Sequence, residues 1–402
     1  MPYNSRTAHR GSRSFRGAAH FSGRSRRNAS RGPKKVYIHP SKFVKAAKPV
    51  EAVAYEPVHT FDDFAIHPSI KANIQAKGFA TPSPIQDQTI PHGLSGRDVI
   101  GVANTGTGKT VAFAVPVLHK LIQDETAKAL IVAPTRELAQ QIEDECRAIG
   151  KRSGLHGALL IGGSSMGTQL KDLKHDPRIV IGTPGRIKDH VERGTLKLGG
   201  FNLVVLDEVD RMLDMGFMPD VSFILGQLAE ERQSFFFSAT LDGSVRQLIS
   251  RFSNDPATVS VSTGDTSDHV HQDIVCYETP QDKITQLHNL LSNGEVGKAI
   301  IFDETQRNVE RLSRELQGRG LKVDDIHGGK SQGQRQRALT RFKKSEIHIL
   351  VATDVAARGI DVADITHVIN YATPQRYEDY IHRIGRAGRA GRVGYALTFV
   401  TG

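Results

Sequence analysis

The chain has 402 residues, with 53 Lys and Arg against 43 Asp and Glu and only two cysteines, Cys146 and Cys276. That length exceeds one ordinary core and suits two domains plus an appendage. No apolar run approaches the roughly 20 residues of a membrane span, no signal-type stretch follows the start, and two cysteines in different halves exclude a disulfide framework or zinc site. A reducing interior, taken as the cytoplasm, is the expected location.

Charge is distributed unevenly. Residues 1–50 hold 13 Lys or Arg and no acid, which leaves the other 352 residues at −3 of the net +10. The first 35 residues are rich in Arg, Ser and Gly, with Phe15 and Phe21 interspersed. They cannot bury enough apolar area to fold alone, so residues 1–58 are expected as a disordered basic tail. Such a tail suits diffuse attraction to phosphate backbones with occasional ring stacking, or simple solubilisation. Its glycines argue against the amphipathic helix of a transit peptide.

From Phe61 onward short apolar runs alternate with amphipathic stretches, which implies parallel strands covered by helices on both faces. The run Asp98 to Val102 is followed by Ala103-Asn104-Thr105-Gly106-Thr107-Gly108-Lys109-Thr110 and a helical stretch from Val111 to Leu121. This is the order of a phosphate-binding loop. Gly106 and Gly108 permit the tight turn, Lys109 reaches the terminal phosphates, and the Thr110 hydroxyl ligates magnesium. Ala103 stands where the general pattern has Gly.

Further strands are expected at 130–133, 158–161, 179–181, 203–206 and 235–237. Pro134-Thr135-Arg136, Gly162-Gly163 and Thr183-Pro184-Gly185-Arg186 each follow a strand, on the edge that also carries the phosphate loop. Small residues, hydroxyls and Arg beside free helix N-termini suit an anion that the backbone approaches closely. Asp207-Glu208-Val209-Asp210 follows Leu203 to Leu206 directly. Three acids within four residues repel one another and need a counter-charge, for which a divalent metal carrying nucleotide phosphates is the candidate. Ser238-Ala239-Thr240 brings two hydroxyls beside that acidic strand, either to sense the metal site or to cap the next helix.

Ser262 to Asp268 reads as a polar linker. Strands then resume at 299–302, 323–326, 347–351, 367–369 and 395–400. In Tyr380-Ile381-His382-Arg383-Ile384-Gly385-Arg386-Ala387-Gly388-Arg389, arginines recur every third residue with small residues between them. Arginines held close to backbone are what a γ-phosphate transition state needs from an opposing domain. Two half-sites on two domains imply a cleft that closes with nucleotide bound.

In this order and spacing the motifs resemble the DEAD-box RNA helicases, across residues 59–402. Upstream, Phe61 and Thr81-Pro82-Ser83-Pro84-Ile85-Gln86 are similar to that family's Q motif. The resemblance implies two tandem RecA-like parallel-sheet α/β domains with the active cleft between them. It divides the chain into 59–262 for ATP binding, a linker at 263–268, and a C-terminal helicase domain at 269–402. It implies ATP and magnesium as cofactors, and RNA bound through its backbone by a monomer outside membranes, within ribonucleoprotein complexes in some settings. Gln86 would read the adenine edge and Phe61 stack on it, with Asp361 on the ribose. Asp207 would hold magnesium, Glu208 orient the attacking water, and Arg386 and Arg389 serve as arginine fingers beside His382. Asp210, Ser238 and Thr240 would couple the site to closure. Arg136, Gly163, Thr183, Arg186, Arg335 and Thr353 would meet RNA. The run from Asp210 to Phe217 looks most like bacterial members. Val209, Asn104 and Asp303 depart from the usual pattern, and Val209 is expected to adjust packing only. The implied activity is RNA-stimulated ATP hydrolysis with local strand separation; a DNA-translocating ATPase and an ATP-dependent RNA clamp are the alternatives.

Overall fold

The computed structural model describes residues 38–47, 55–104, 106–261, 266–357, 360, 362, 364–388 and 393–402. The expectations for Asp361, Arg389, residues 1–37 and 48–54 of the tail, and linker residues 263–265 lie outside these.

The first sheet contains β1 (Val99–Val102), β2 (Ala129–Val132), β3 (Gly157–Leu160), β4 (Ile179–Gly182), β5 (Leu203–Leu206), β6 (Gln233–Ser238) and β7 (Ala257–Ser260), in the order β3-β4-β2-β5-β6-β1-β7. The second contains β8 (Val270–Tyr277), β9 (Ala299–Phe302), β10 (Val323–Ile326), β11 (Ile349–Ala352), β12 (His367–Asn370) and β13 (Gly394–Thr401), in the order β10-β11-β9-β12-β13-β8. Every pairing within the sheets is parallel; Leu203, for example, sits opposite Ala129 on one side and Gln233 on the other.

Alternation along a strand sends neighbouring side chains to opposite faces, so a strand covered on both sides reads as a continuous apolar run. Leu203 and Val205 enter one core of the first domain while Val204 and Leu206 enter the other. In β6, Phe235 and Phe237 face the first core and Phe236 the second, all fully buried. Each such ring is worth about 1.5–3 kcal/mol of transfer free energy. The second domain repeats the device: Ile300 and Phe302 pack on one side of β9, Ala299 and Ile301 on the other. Strands β7 and β8 are absent from the sequence expectation. Both are edge strands whose burial alternates, so neither makes an apolar run.

The expected tail boundary at residue 58 is corrected by the structure. Pro40–Phe43 forms a short 3-10 helix, Phe43 is fully buried in the second domain's core, and Lys45 makes an antiparallel bridge to Gln272 of β8. The signal was local: Ile38, Phe43 and Val44 interrupt the basic composition.

Candidate active site and RNA cleft

The phosphate loop joins β1 to the helix Lys109–Gln123, and Gly106 and Gly108 both take left-handed backbone, with φ of 86° and 92°. At Gly108 a Cβ would stand 2.3 Å from Gln86 Nε2. Gln86 explains the crowding: its Nε2 donates to the Gly108 carbonyl at 3.0 Å, and its Oε1 accepts from Ser83 N at 2.9 Å in a capping box. The amide thus clamps the loop to the Q-motif helix Pro84–Leu94 and still keeps one donor and one lone pair.

Lys109, Thr110, Gly106, Gly108, Asp207 and Glu208 line one cavity of about 360 Å³. Lys109 is buried and its Nζ donates to the Ala103 carbonyl at 2.9 Å. Asp207 is 2% exposed; burial raises its carboxyl to about 6, with Lys109 pulling it down and Glu208 pushing it further up. Among the described residues no group of three or more His, Cys, Asp and Glu gathers as a metal site.

Phe61 is placed elsewhere. Its ring is 4% exposed and lies edge-on to Phe64 at 6.0 Å, inside the first domain's core. Phe79 is the aromatic that lines the cavity, with Lys77 Nζ 5.6 Å from its ring centre.

Glu208 is 3% exposed and holds φ at +54°, a left-handed backbone that costs a non-glycine residue about 1–3 kcal/mol. It precedes the helix Val209–Asp214, whose Arg211 Nε lies 3.5 Å from its carboxylate. Burial pushes Glu208 up, but Arg211, Lys109 and, from the second domain, Arg386 and His382 together hold it below its ordinary value. Arg211 is a residue the sequence reading missed, although it stands three positions after Glu208. Val209 is fully buried in the core beneath the site.

Asp210 reaches the turn after β6: its Oδ2 accepts from Ala239 N at 3.0 Å, Thr240 N at 3.1 Å and Thr240 Oγ1 at 3.3 Å. In return its own N–H donates to Ser238 Oγ at 3.2 Å. The acidic strand end and the Ser-Ala-Thr turn are one hydrogen-bonded unit.

In the second domain the helix Tyr377–Ile384 carries His382 and Arg383 and is followed by Arg386. Arg386 is 2% exposed and donates to the Ile360 carbonyl at 2.9 Å. Arg383, also missed, makes a forked pair with Asp354 at 2.6 and 2.7 Å and donates to Asn370 Oδ1 and the Ala372 carbonyl.

A second cavity of about 410 Å³ collects Arg136, Thr183 and Arg186 from the first domain with Gly328, Arg335 and Val355 from the second. Gly163 borders it through Arg136, whose Nη1 lies 2.3 Å from where a Cβ would be. Arg186 Nη1 is buried without a hydrogen-bond partner. Thr353 is placed two residues before Val355 and does not line this cavity. Arg335 has a different attachment from the one expected: it is 6% exposed, and its Nη2 is 2.8 Å from Glu137 Oε2 across the domain boundary. Burial pushes the Glu137 carboxyl up against the pull of Arg335, and burial likewise lowers Arg335. No aligned hydrogen bond accompanies the contact, so the pair is close but imperfectly matched.

The chain matches the DEAD/DEAH box helicase family over residues 83–249 and the helicase conserved C-terminal domain over 282–391. It is 43% identical over 341 residues to the ATP-dependent RNA helicase CshA of Listeria monocytogenes, and 42% identical over 343 residues to the DEAD-box ATP-dependent RNA helicase CshA of Bacillus subtilis. These stretches are 85% of this chain and 66% and 69% of the two relatives, so the chain spans about two thirds of their length. Among solved structures, S. cerevisiae Dbp5 bound to RNA and ADP BeF3 is similar with a TM-score of 0.76 and 30% identity, over 85% of this chain and 90% of that one. With both halves of a helicase matched in order and relatives aligned along most of its length, the chain belongs to the DEAD-box family of ATP-dependent RNA helicases.

Proposed function

We propose that this chain couples RNA-stimulated hydrolysis of ATP to local unwinding of RNA duplexes or remodelling of ribonucleoproteins. The observation that carries the reading is Glu208, a buried, backbone-strained carboxylate. It feels Lys109 on its own domain and Arg386 and His382 on the other. In this mechanism Lys109 and the loop N–H groups hold the phosphates, and Phe79 and Gln86 take the adenine end. Glu208, kept ionised by Arg211, Lys109 and Arg386, orients or deprotonates the water that attacks the γ-phosphate in line. Arg386 meets the charge that develops on the transferred group; Arg389 has the same role by motif alone.

Asp207 and Thr110 fit a magnesium ion. A buried carboxyl pushed up to about 6 despite Lys109 is under-compensated by positive charge, and Thr110 lines the same cavity. When bound with nucleotide, the ion would neutralise phosphate charge. RNA is proposed to lie along Arg136, Gly163, Thr183 and Arg186, with Thr353 nearby and Arg335 acting through domain closure. A monomer working in the cytoplasm completes the reading; among the described residues no helix is long and apolar enough to cross a membrane.

The test is Glu208→Gln, which keeps size and one acceptor oxygen while removing the charge. RNA-stimulated ATP turnover should fall by at least ~100-fold with ATP binding retained. Turnover within a few-fold of the parent would remove Glu208 from the chemistry.

A further inference from the structure

Ile38–Lys45 precedes the first domain in sequence yet packs on the second. Phe43 is fully buried, its ring centre 4.8 Å from that of Tyr380 at an interplanar angle of 59°. Tyr380, also fully buried, lies on the helix that carries His382 and Arg383, six residues before Arg386. Its hydroxyl donates to Gln272 Oε1 at 2.9 Å. The backbone of Gln272 in turn exchanges two hydrogen bonds with Lys45, at 3.0 and 2.8 Å, and the Lys45 ammonium pairs with Asp268. Ring, hydroxyl, β-bridge and ion pair therefore close a circuit from Phe43 through Tyr380 and Gln272 back to Lys45. The bridge also covers the outer edge of β8, which pairs with β13 on its other side.

The circuit sits beside the segment expected to link the domains. Asp268 lies two residues before β8, where the chain arrives from the first domain. From Lys45 the chain runs on to Tyr55, Val58 and His59, all of which bond Asp87 of the first domain. The strap is thus the start of a second covalent crossing between the domains.

We propose that Ile38–Lys45 positions the helix Tyr377–Ile384, with Phe43 as the positioning residue, and so sets the reach of Arg386 towards Glu208. This rests on the proposed role of Arg386. A side chain that must meet developing charge is sensitive to displacement of about an ångström, and Phe43 packs on Tyr380 of the helix that leads into that arginine. Phe43 touches neither nucleotide nor water; it acts through Tyr380.

The test uses the full chain with RNA and ATP at saturation, well below its melting temperature. Phe43→Ala should lower kcat about ten-fold with the Kd for ADP unchanged, and Phe43→Leu should recover most of the loss. Adding Phe43→Ala to Arg386→Gln should slow the enzyme no further than Arg386→Gln does alone, because both act through one arginine. If Phe43→Ala fails to fold, the half-exposed Lys45→Glu variant should reduce kcat two- to three-fold and Asp268→Lys should restore it. Multiplicative losses in the double variant, or a normal kcat in both folded single variants, would leave the strap a stabilising element only. A normal kcat in Arg386→Gln would instead remove the arginine reading on which the strap depends.

Discussion

The two domains put polar loops on the same kind of sheet edge, yet they treat charge in opposite ways. The first leaves charge unsettled. Asp207 is buried with its carboxyl pushed up to about 6, Glu208 sits in left-handed backbone, and Arg186 Nη1 is buried without a partner. Around the helix Tyr377–Ile384 the second settles its charge internally. Arg383 is held by Asp354, Asn370 and the Ala372 carbonyl, and Arg386 by the Ile360 carbonyl. An edge of the first kind is completed by incoming cations and anions, whereas one of the second kind delivers groups already oriented. On the proposed mechanism, binding then belongs to the first domain and completion of the reaction to the second.

The largest effect expected from this division separates Lys109→Ala from Arg386→Gln. Both should reduce RNA-stimulated turnover by ~10²–10³-fold. Only Lys109→Ala should also weaken ADP binding, while Arg386→Gln leaves the ADP Kd within about two-fold, since its guanidinium belongs to the other domain. Equilibrium ADP titration beside steady-state kinetics reads both. Equal loss of nucleotide affinity in the two variants would break the comparison.

The cross-domain pair sharpens it. Glu137 and Arg335 are both buried, at 2.8 Å, and each is shifted by burial towards its neutral form. Removing one partner strands the other, at a cost of about 3–5 kcal/mol. Glu137→Gln or Arg335→Gln should weaken RNA binding measured with a non-hydrolysable ATP analogue, because that complex requires closure. The double variant should recover part of the loss. Strict additivity in the cycle would mean that the pair does not hold the domains together.

Both parallel sheets were legible because strands covered on two faces are nearly pure apolar runs, as in Leu203 to Leu206 and Ala299 to Phe302. The edge strands β7 and β8 were not, since half-buried alternation such as Val270-His271-Gln272-Asp273 gives no run. The phosphate loop and acidic tetrad were legible because their chemistry depends on neighbours in sequence. What escaped was chemistry made by neighbours in space. Arg335 reads as a phosphate contact until Glu137 is beside it, and Phe61 reads as a stacking ring until Phe64 buries it. Phe43 reads as part of a polar tail until Tyr380 supplies its partner. Gln86 lies between these cases, because its capping-box partner Ser83 is local and its clamp on Gly108 is not.

The smallest effect concerns stability and is specific to the first domain. Burial raises the Asp207 carboxyl to about 6 in the folded, nucleotide-free chain, whereas the unfolded chain releases that proton near the ordinary value of 3.8. Between these values the folded state binds the extra proton, so the contribution of Asp207 is fully present below about pH 4 and is lost as pH rises through about 6. A shift of some two units corresponds to about 3 kcal/mol. Loss of the partner charge near Lys109 offsets part of any gain, so Asp207→Asn should stabilise the nucleotide-free protein by about 1–2 kcal/mol at pH 7.5 and by nothing at pH 4. Urea melts of parent and variant at the two pH values measure this. Magnesium with ADP should reverse the order at pH 7.5, because only the parent offers a carboxylate to the added charge. A variant no more stable than the parent at pH 7.5 would mean that Asp207 is already neutralised by its own domain, and the contrast between an unfinished and a finished sheet edge would lose its strongest support.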